Sequence, residues 1–351
     1  MRIAHVREVH GPAGAPWRLG ISAGENSPWL DAEVVRRRLV AGDRELAHNS
    51  ALFRQPLTTL DELLRRGLRV AALSGLVEGF ERRAGPRDAA DDAEDDAVLE
   101  TPDLAFGPPI LEPPAFRDFY AFERHVRTMW ERRGGEIPEA WYRLPVFYFS
   151  NTSEIRGPGE PVWAPRGSSE LDFELEVGAI VDTPLLDVAA ERAEEGIGGY
   201  TVLADWSARD LQRDETVVRL GPAKGKDFAT SIGPWIVTPD ELAGRRARGS
   251  TGPDLGMTAT VMTPEGRRVD VVRGTWASAH FSFGQMLERA SADVRIRPGE
   301  IVGSGTVGGG SLLESREGTL DRWLEPGDEV RLTIDAIGTL RTPIVARPGD
   351  R

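Results

Sequence analysis

The fold of this chain turns on one stretch, Leu171-Asp172-Phe173-Glu174-Leu175-Glu176-Val177. Apolar and acidic residues alternate through it without a break. On a strand, successive side chains point to opposite faces, so Phe173, Leu175 and Val177 share one face and Asp172, Glu174 and Glu176 the other. Carboxylates crowded on one strand face repel unless something positive lies between them. A hard divalent cation would serve, since Mg2+ and Ca2+ prefer oxygen ligands. An amphipathic strand with a solvated acidic face is the alternative.

Outward from this strand, predicted over Leu171–Val181, the chain is β-rich. Short runs over Pro145–Phe149, Tyr200–Leu203, Trp235–Val237, Gly256–Thr263, Ile301–Ser304 and Val330–Ile334 are separated by Gly and Pro. Pro298-Gly299 and Pro326-Gly327 mark turns before strands. Helical spacing appears over Asp118–Arg132, where Phe119, Phe122, Val126 and Met129 recur three or four apart, and over Ser282–Ala290. The expected class is therefore mostly β with covering helices (α+β). Residues 1–100 read as a small mixed α/β unit, in which Thr59-Leu60-Asp61-Glu62 opens a short helix to Gly67. That unit ends in an acidic, solvated linker, Asp88–Glu100, with seven acids in thirteen residues. Residues 101–351 form the second, larger unit.

Composition narrows the function. The chain has 351 residues, enough for a sizeable core, and no Cys, which excludes disulfides, thiolate zinc sites and a thiol nucleophile. Its formal charge of −13 repels phosphate backbones, so nucleic acid is not an expected partner. No apolar run approaches the roughly 20 residues of a membrane span. The start of the chain lacks the apolar core of a secretory signal, so a cytoplasmic protein is expected. Of 43 basic residues only Lys224 and Lys226 are lysine. Two lysines in one short segment of an arginine-rich chain suggest a need for a compact ammonium there, with chance as the other explanation.

Four further segments offer chemistry. Asp205-Trp206-Ser207-Ala208-Arg209-Asp210-Leu211-Gln212 reads as a strand running into a helix, with Asp205 at the junction. A helical turn from there would set Asp205, Arg209 and Gln212 on one side, although Asp205 alone could be a helix cap. Gly221–Thr230 holds both lysines without phosphate-loop spacing, and Lys226 could lie beside the acids with Thr230 close by, a solvent-exposed loop lysine being the alternative. His125 follows Asp118 by seven residues, which in a helix sets both on one side, about 10 Å apart; a structural histidine is the alternative. Ser304–Glu314 is a strand entering a glycine-rich loop, and Glu314 at its end could orient a histidine or simply be exposed.

Taken in order, these segments resemble the fumarylacetoacetate hydrolase family over roughly residues 101–345. The matching strings are Asp118-Phe119-Tyr120 with His125, Leu144-Pro145-Val146-Phe147-Tyr148, Leu171 to Glu176, Asp205 to Asp210, Lys226 with Thr230, and Ser304-Gly305-Thr306. The resemblance implies a β-roll catalytic domain behind a small N-terminal domain, in a homodimer. It implies that Asp118, Glu174, Glu176 and Asp205 hold a divalent cation (Mg2+, Ca2+ or Mn2+), with Lys226 and Thr230 completing the site. His125 would be the general base, oriented by Glu314, and Lys226 would take part in catalysis. Tyr120, Tyr148, Arg209, Gln212 and Thr306 would contact substrate, and Arg132 or Arg133 lies near a substrate-binding arginine. The implied reaction is metal-dependent hydrolysis of a carbon–carbon bond in a 1,3-diketone acid, a small-molecule oxo acid of the fumarylacetoacetate or acylpyruvate type. Decarboxylation or keto–enol isomerisation by a related member, and a non-catalytic β-rich binding protein, are the other readings.

Overall fold

The computed structural model describes residues 1–12, 14–84, 96–316 and 318–349. The strand Leu171–Val181 forms as the alternation predicts, and all eleven of its residues are buried. Ile197–Ala208 pairs antiparallel along it, placing Asp205 opposite Glu174 and Leu203 opposite Glu176. Among the described residues these two long strands are the middle of a twelve-stranded sheet, in which Leu104–Phe106 and Ile155–Arg156 pair off the main path with Arg2–Glu8 and Thr230–Val237. On one side follow Thr230–Val237, Arg2–Glu8, Arg18–Ser22, Trp29–Asp31 and Val98–Leu99; on the other, Ile301–Gly303, Phe116–Phe119 and Phe147–Ser150. A second, four-stranded sheet runs in the order Arg268–Thr275, Gly256–Met262, Glu329–Ile334, Gly338–Pro343.

The pleat divides the core. Phe173, Leu175, Val177 and Ala179 face the second sheet and pack in one cluster with Val261, Leu332 and Leu340. The opposite face carries Glu174 and Glu176 toward one end and Ile180 toward the other. Ile180 packs with Leu203, Ile301 and the apolar side chains of the first eighty residues, among them Ile3, Leu60 and Leu76. One strand face thus holds apolar core at one end and buried carboxylate at the other, so the solvated acidic face is excluded.

Three expectations are corrected. The segment Asp118–Arg132 is not one helix. Phe116–Phe119 is a strand, and the helix runs over Glu123–Arg132. Asp118 is held in the sheet by pairing with Gly303 on one side and Tyr148 on the other, partners remote in sequence that local spacing cannot reveal. Likewise Asp205 neither caps a helix nor ends a strand. The ladder continues through Ala208, and Arg209 is the first helical residue of Arg209–Val218. Finally, the end of the acidic linker is ordered: Val98–Leu99 pairs with Leu30 and Trp29. Residues 88–95 of that linker lie outside the described residues. The helix near Ser282 forms over Phe283–Ser291 with a complete Ser282–Gln285 capping box, and Thr59 caps Leu60–Arg65.

Candidate active site

Three strands bring the acids together. Asp118, Glu176 and Asp205 each offer a carboxylate oxygen, and these oxygens lie within 4.8 Å of one another. All three residues are buried, and Asp118 Oδ1 and Asp205 Oδ1 have no hydrogen-bond partner. Burial, and then the neighbouring carboxylates, push Asp118 and Glu176 well above the usual carboxylate range. Burial also raises Asp205, against the pull of Lys226. Anionic oxygens buried without partners are costly unless a positive group joins them. The donor set is all oxygen, as a hard divalent cation requires. Gly303 keeps the space open, since a Cβ there would stand 2.5 Å from Asp118 Oδ1 and 3.0 Å from Glu176 Oε2. The residues present therefore fit a cation at this centre.

Glu174 lies beside this trio and is engaged by cations of the chain. Its Oε2 receives Lys226 Nζ, and its Oε1 lies 2.8 Å from Arg209 Nη2. Burial works to protonate Glu174, but Lys226, Arg209 and His125 hold its carboxyl well below the usual range. Lys226 is itself buried, bridging Glu174 and Asp205. Burial alone would discharge it, and those two carboxylates raise its pKa instead. Lys224 stays exposed and pairs with Asp227. Thr230 is buried on the strand opposite Asp205. Tyr148 donates from Oη to Asp205 Oδ2 at 2.9 Å.

The imidazole stands on the other side of Glu174. His125 Nδ1 is 2.8 Å from Glu314 Oε2, and Nε2 is 3.9 Å from Glu174 Oε1. The side chains of both His125 and Glu314 are buried. Glu314 also accepts from the Gly309 N–H at 3.0 Å and from Ser311 Oγ at 3.2 Å. Burial would raise its pKa, but His125 and the Gly309 amide hold it below the usual value. The Tyr120 ring meets His125 edge-on, with centroids 5.4 Å apart. Arg209 Nη1 donates to Gln212 Oε1 at 2.9 Å, which leaves the Gln212 amide nitrogen as a donor.

Asp118, Glu174, Glu176, Asp205, Lys226, His125, Arg209 and Gln212 line one cleft of about 1430 Å³, along with Tyr120, Tyr148, Thr306, Arg132, Arg133 and Arg316. Every site residue expected from the sequence lies in or against this cleft. Those lining it directly exclude Thr230, which sits on the strand beside Asp205, and Glu314, which stands behind His125.

Sequence reasoning missed the residues that position the others. Glu215 accepts from the amides of Ala223, Lys224 and Gly225 and so clamps the loop that carries Lys226. Ser311 caps the short helix Leu312–Ser315 on which Glu314 sits. No spacing rule points to Glu215. The Ser311-to-Glu314 interval is a capping signal that could have been found.

A β-rich scaffold thus carries a buried, oxygen-only donor set that could hold a cation, flanked by a carboxylate-backed imidazole that could move a proton. The comparisons make this specific. The family described as fumarylacetoacetate (FAA) hydrolase C-terminal matches residues 115–345, and the chain belongs to this family. A fumarylacetoacetase of Arabidopsis thaliana is 32% identical over 269 residues, 61% of this chain and 63% of that protein; one from Caenorhabditis elegans is 29% identical over 272 residues, 62% and 65% respectively. The match thus spans less than two thirds of either relative. Among solved structures, a fumarylacetoacetate hydrolase from Exiguobacterium antarcticum superposes with a TM-score of 0.67 at 20% identity, covering 99% of this chain and 100% of that one. A 5-carboxymethyl-2-hydroxymuconate delta-isomerase from Mycobacterium smegmatis gives 0.60 at 23% identity, covering 99% of each. At these identities the two structures establish the fold.

Proposed function

We propose that this chain is a divalent-cation-dependent hydrolase that cleaves a carbon–carbon bond in a 1,3-diketone acid of the fumarylacetoacetate or acylpyruvate type. The observation that carries this reading is the 2.8 Å His125–Glu314 pair beside the carboxylate trio. Isomerisation or decarboxylation needs the acids but has less use for such a pair. A non-catalytic protein has no use for its convergence with the acids.

Asp118, Glu176 and Asp205 would hold the cation, with Glu174 at its edge. When bound, the cation acts as a Lewis acid toward the carbonyl oxygens of the substrate. With the Nδ1 proton donated to Glu314, His125 Nε2 carries the lone pair and accepts a proton from water. The resulting imidazolium is stabilised by Glu314 and Glu174. The water oxygen bonds to the carbonyl carbon, whose oxygen becomes negative. Lys226, Arg209 and the Gln212 amide are the donors positioned to offset that charge. The bond to the adjacent CH2 then breaks, its electron pair passes into the enolate of the second carbonyl, and His125 returns the proton to carbon. Arg132, Arg133 and Arg316 at the cleft wall suit the carboxylate of the acid.

The test is a panel of acylpyruvates and oxaloacetate, assayed with chelator-treated and cation-restored protein. Cation-dependent release of an acyl acid is the expected result. CO2 without acyl acid would make the protein a decarboxylase, and double-bond migration without cleavage an isomerase. Absence of turnover under every cation would leave the binding-protein reading.

A further inference from the structure

We propose that Asp172 is a positioning residue that locks the His125–Glu314 pair to the wall of the cation centre; the inference rests on the function proposed above. By its place in the strand, Asp172 shares a face with Glu174 and Glu176, and it would be the natural third ligand from that strand. Its surroundings exclude this. The residue is fully buried. Oδ1 accepts from the amides of Phe173 at 2.7 Å and Leu312 at 2.8 Å. Oδ2 accepts from the Leu313 amide at 3.0 Å and from Arg209 Nε at 2.8 Å. A carboxylate offers about four acceptor positions, so none remains for a cation or a substrate.

The partners of Asp172 are the two arms of the site. Leu312 and Leu313 are the first two residues of the helix Leu312–Ser315, and Glu314 is the third. A helix of four residues has no stability of its own, so its placement depends on what binds its free amides. Asp172 binds two of them, and Ser311 Oγ accepts from the Glu314 amide at 3.4 Å. In the other direction, Arg209 reaches from Asp172 to Glu174 and to Gln212. One carboxylate thereby fixes the distance between the group that orients the imidazole and the group that faces the carboxylate wall. His125 lies between them, 2.8 Å from Glu314 and 3.9 Å from Glu174.

Asp172→Asn tests this, because an amide of nearly the same shape must turn an NH2 toward an N–H donor. The readout is the proton NMR signal of the His125 Nδ1–H, in protein carrying nitrogen-15 histidine. It should be lost or clearly shifted in the variant. With a substrate from the panel, kcat should fall about 100-fold through misalignment, while KM and cation affinity stay within about threefold. An unchanged His125 signal in folded Asp172→Asn overturns the proposal whatever the turnover, as does a loss confined to KM. The signal needs no substrate, so a failure of the proposed reaction and a failure of the Asp172 role are distinguishable. If the variant does not fold, hydrogen exchange on the unaltered protein decides. The amides of Leu312 and Leu313 should exchange as slowly as those of the strand Leu171–Val181, and exchange at the rate of a free loop overturns the role.

Discussion

At the scale of single residues, the two lysines show how environment sets a role. Lys224 and Lys226 are two positions apart and chemically identical, yet one is a solvated partner of Asp227 and the other is buried between Glu174 and Asp205. The difference comes from the Glu215 clamp on the intervening loop and from Gly225, where a Cβ would press against the Gln212 backbone at 2.8 Å. His125 is placed with the same economy: one nitrogen is committed to Glu314 and the other is directed toward the acids. His125→Ala should lower turnover by about 10²- to 10⁴-fold, the usual contribution of a general base, with cation affinity nearly unchanged. Steady-state kinetics beside a calorimetric cation titration measures both, and unaltered turnover removes His125 from the chemistry. Residue types were the most legible level of this chain. Acid, imidazole, ammonium and guanidinium could be picked out before any fold was known, whereas Asp172 could be seen only as a third acid on the same face.

At the scale of elements, the central strands fall where alternation and turn residues put them, because a buried strand imposes its period directly on the sequence. Boundaries at the site are another matter. Phe119, Phe122, Val126 and Met129 satisfy helical spacing, yet Phe119 belongs to a strand. Ile301–Gly303 and Phe147–Ser150 capture it from either side, and no local rule contains those pairings. The strand Ile301–Gly303 makes a second contribution through Gly303. Its missing side chain leaves room for Asp118 Oδ1 and Glu176 Oε2. Gly303→Ala should displace one of those oxygens and weaken cation binding by about tenfold, equivalent to roughly 1.4 kcal/mol. Calorimetric titration of the folded variant is the check, and wild-type affinity would mean that the cation does not sit against this strand.

At the scale of the whole molecule, charge is sorted by place. The chain carries −13 overall, yet Arg132, Arg133, Arg209, Arg213, Arg219 and Arg316 line the cleft above a carboxylate floor. Such a cationic rim would favour an anionic ligand over what the acidic surface at large would attract. No helix among the described residues is long and apolar enough to cross a membrane. The first sixty residues are tied to the rest through His5, fully buried between Pro108 and Leu60. Its Nδ1–H donates to the Pro108 carbonyl at 2.8 Å, and its Nε2 accepts from the Leu60 amide at 3.0 Å, an arrangement that requires the neutral ring. Burial lowers its pKa below the ordinary 6.5, against the opposing pull of the Pro108 carbonyl and Asp61. Below that value the unfolded chain takes up a proton that the fold refuses. The stabilisation is therefore complete above pH 6.5 and is lost as pH falls toward the folded pKa. Denaturant unfolding between pH 7.5 and 5.5 should show wild type losing stability faster than His5→Gln, by at most about 1.4 kcal/mol per pH unit. Parallel slopes would refute the assignment.

The sequence by itself determined the family, the alternating strand at the centre and the acids, histidine and lysine gathered at the site, because the period of a strand and the chemistry of a side chain are local properties. Only the tertiary structure decided which acids face an open cation centre and which are already spent on cations of the chain. Asp118 and Asp205 each keep an unsatisfied oxygen, with a Glu176 oxygen within 4.8 Å of them, Glu174 is taken by Lys226 and Arg209, and Asp172 by three amides and Arg209. Carboxylates of one strand face are equivalent in one dimension; they become different when partners from distant segments fill the lone pairs of some and leave those of others bare.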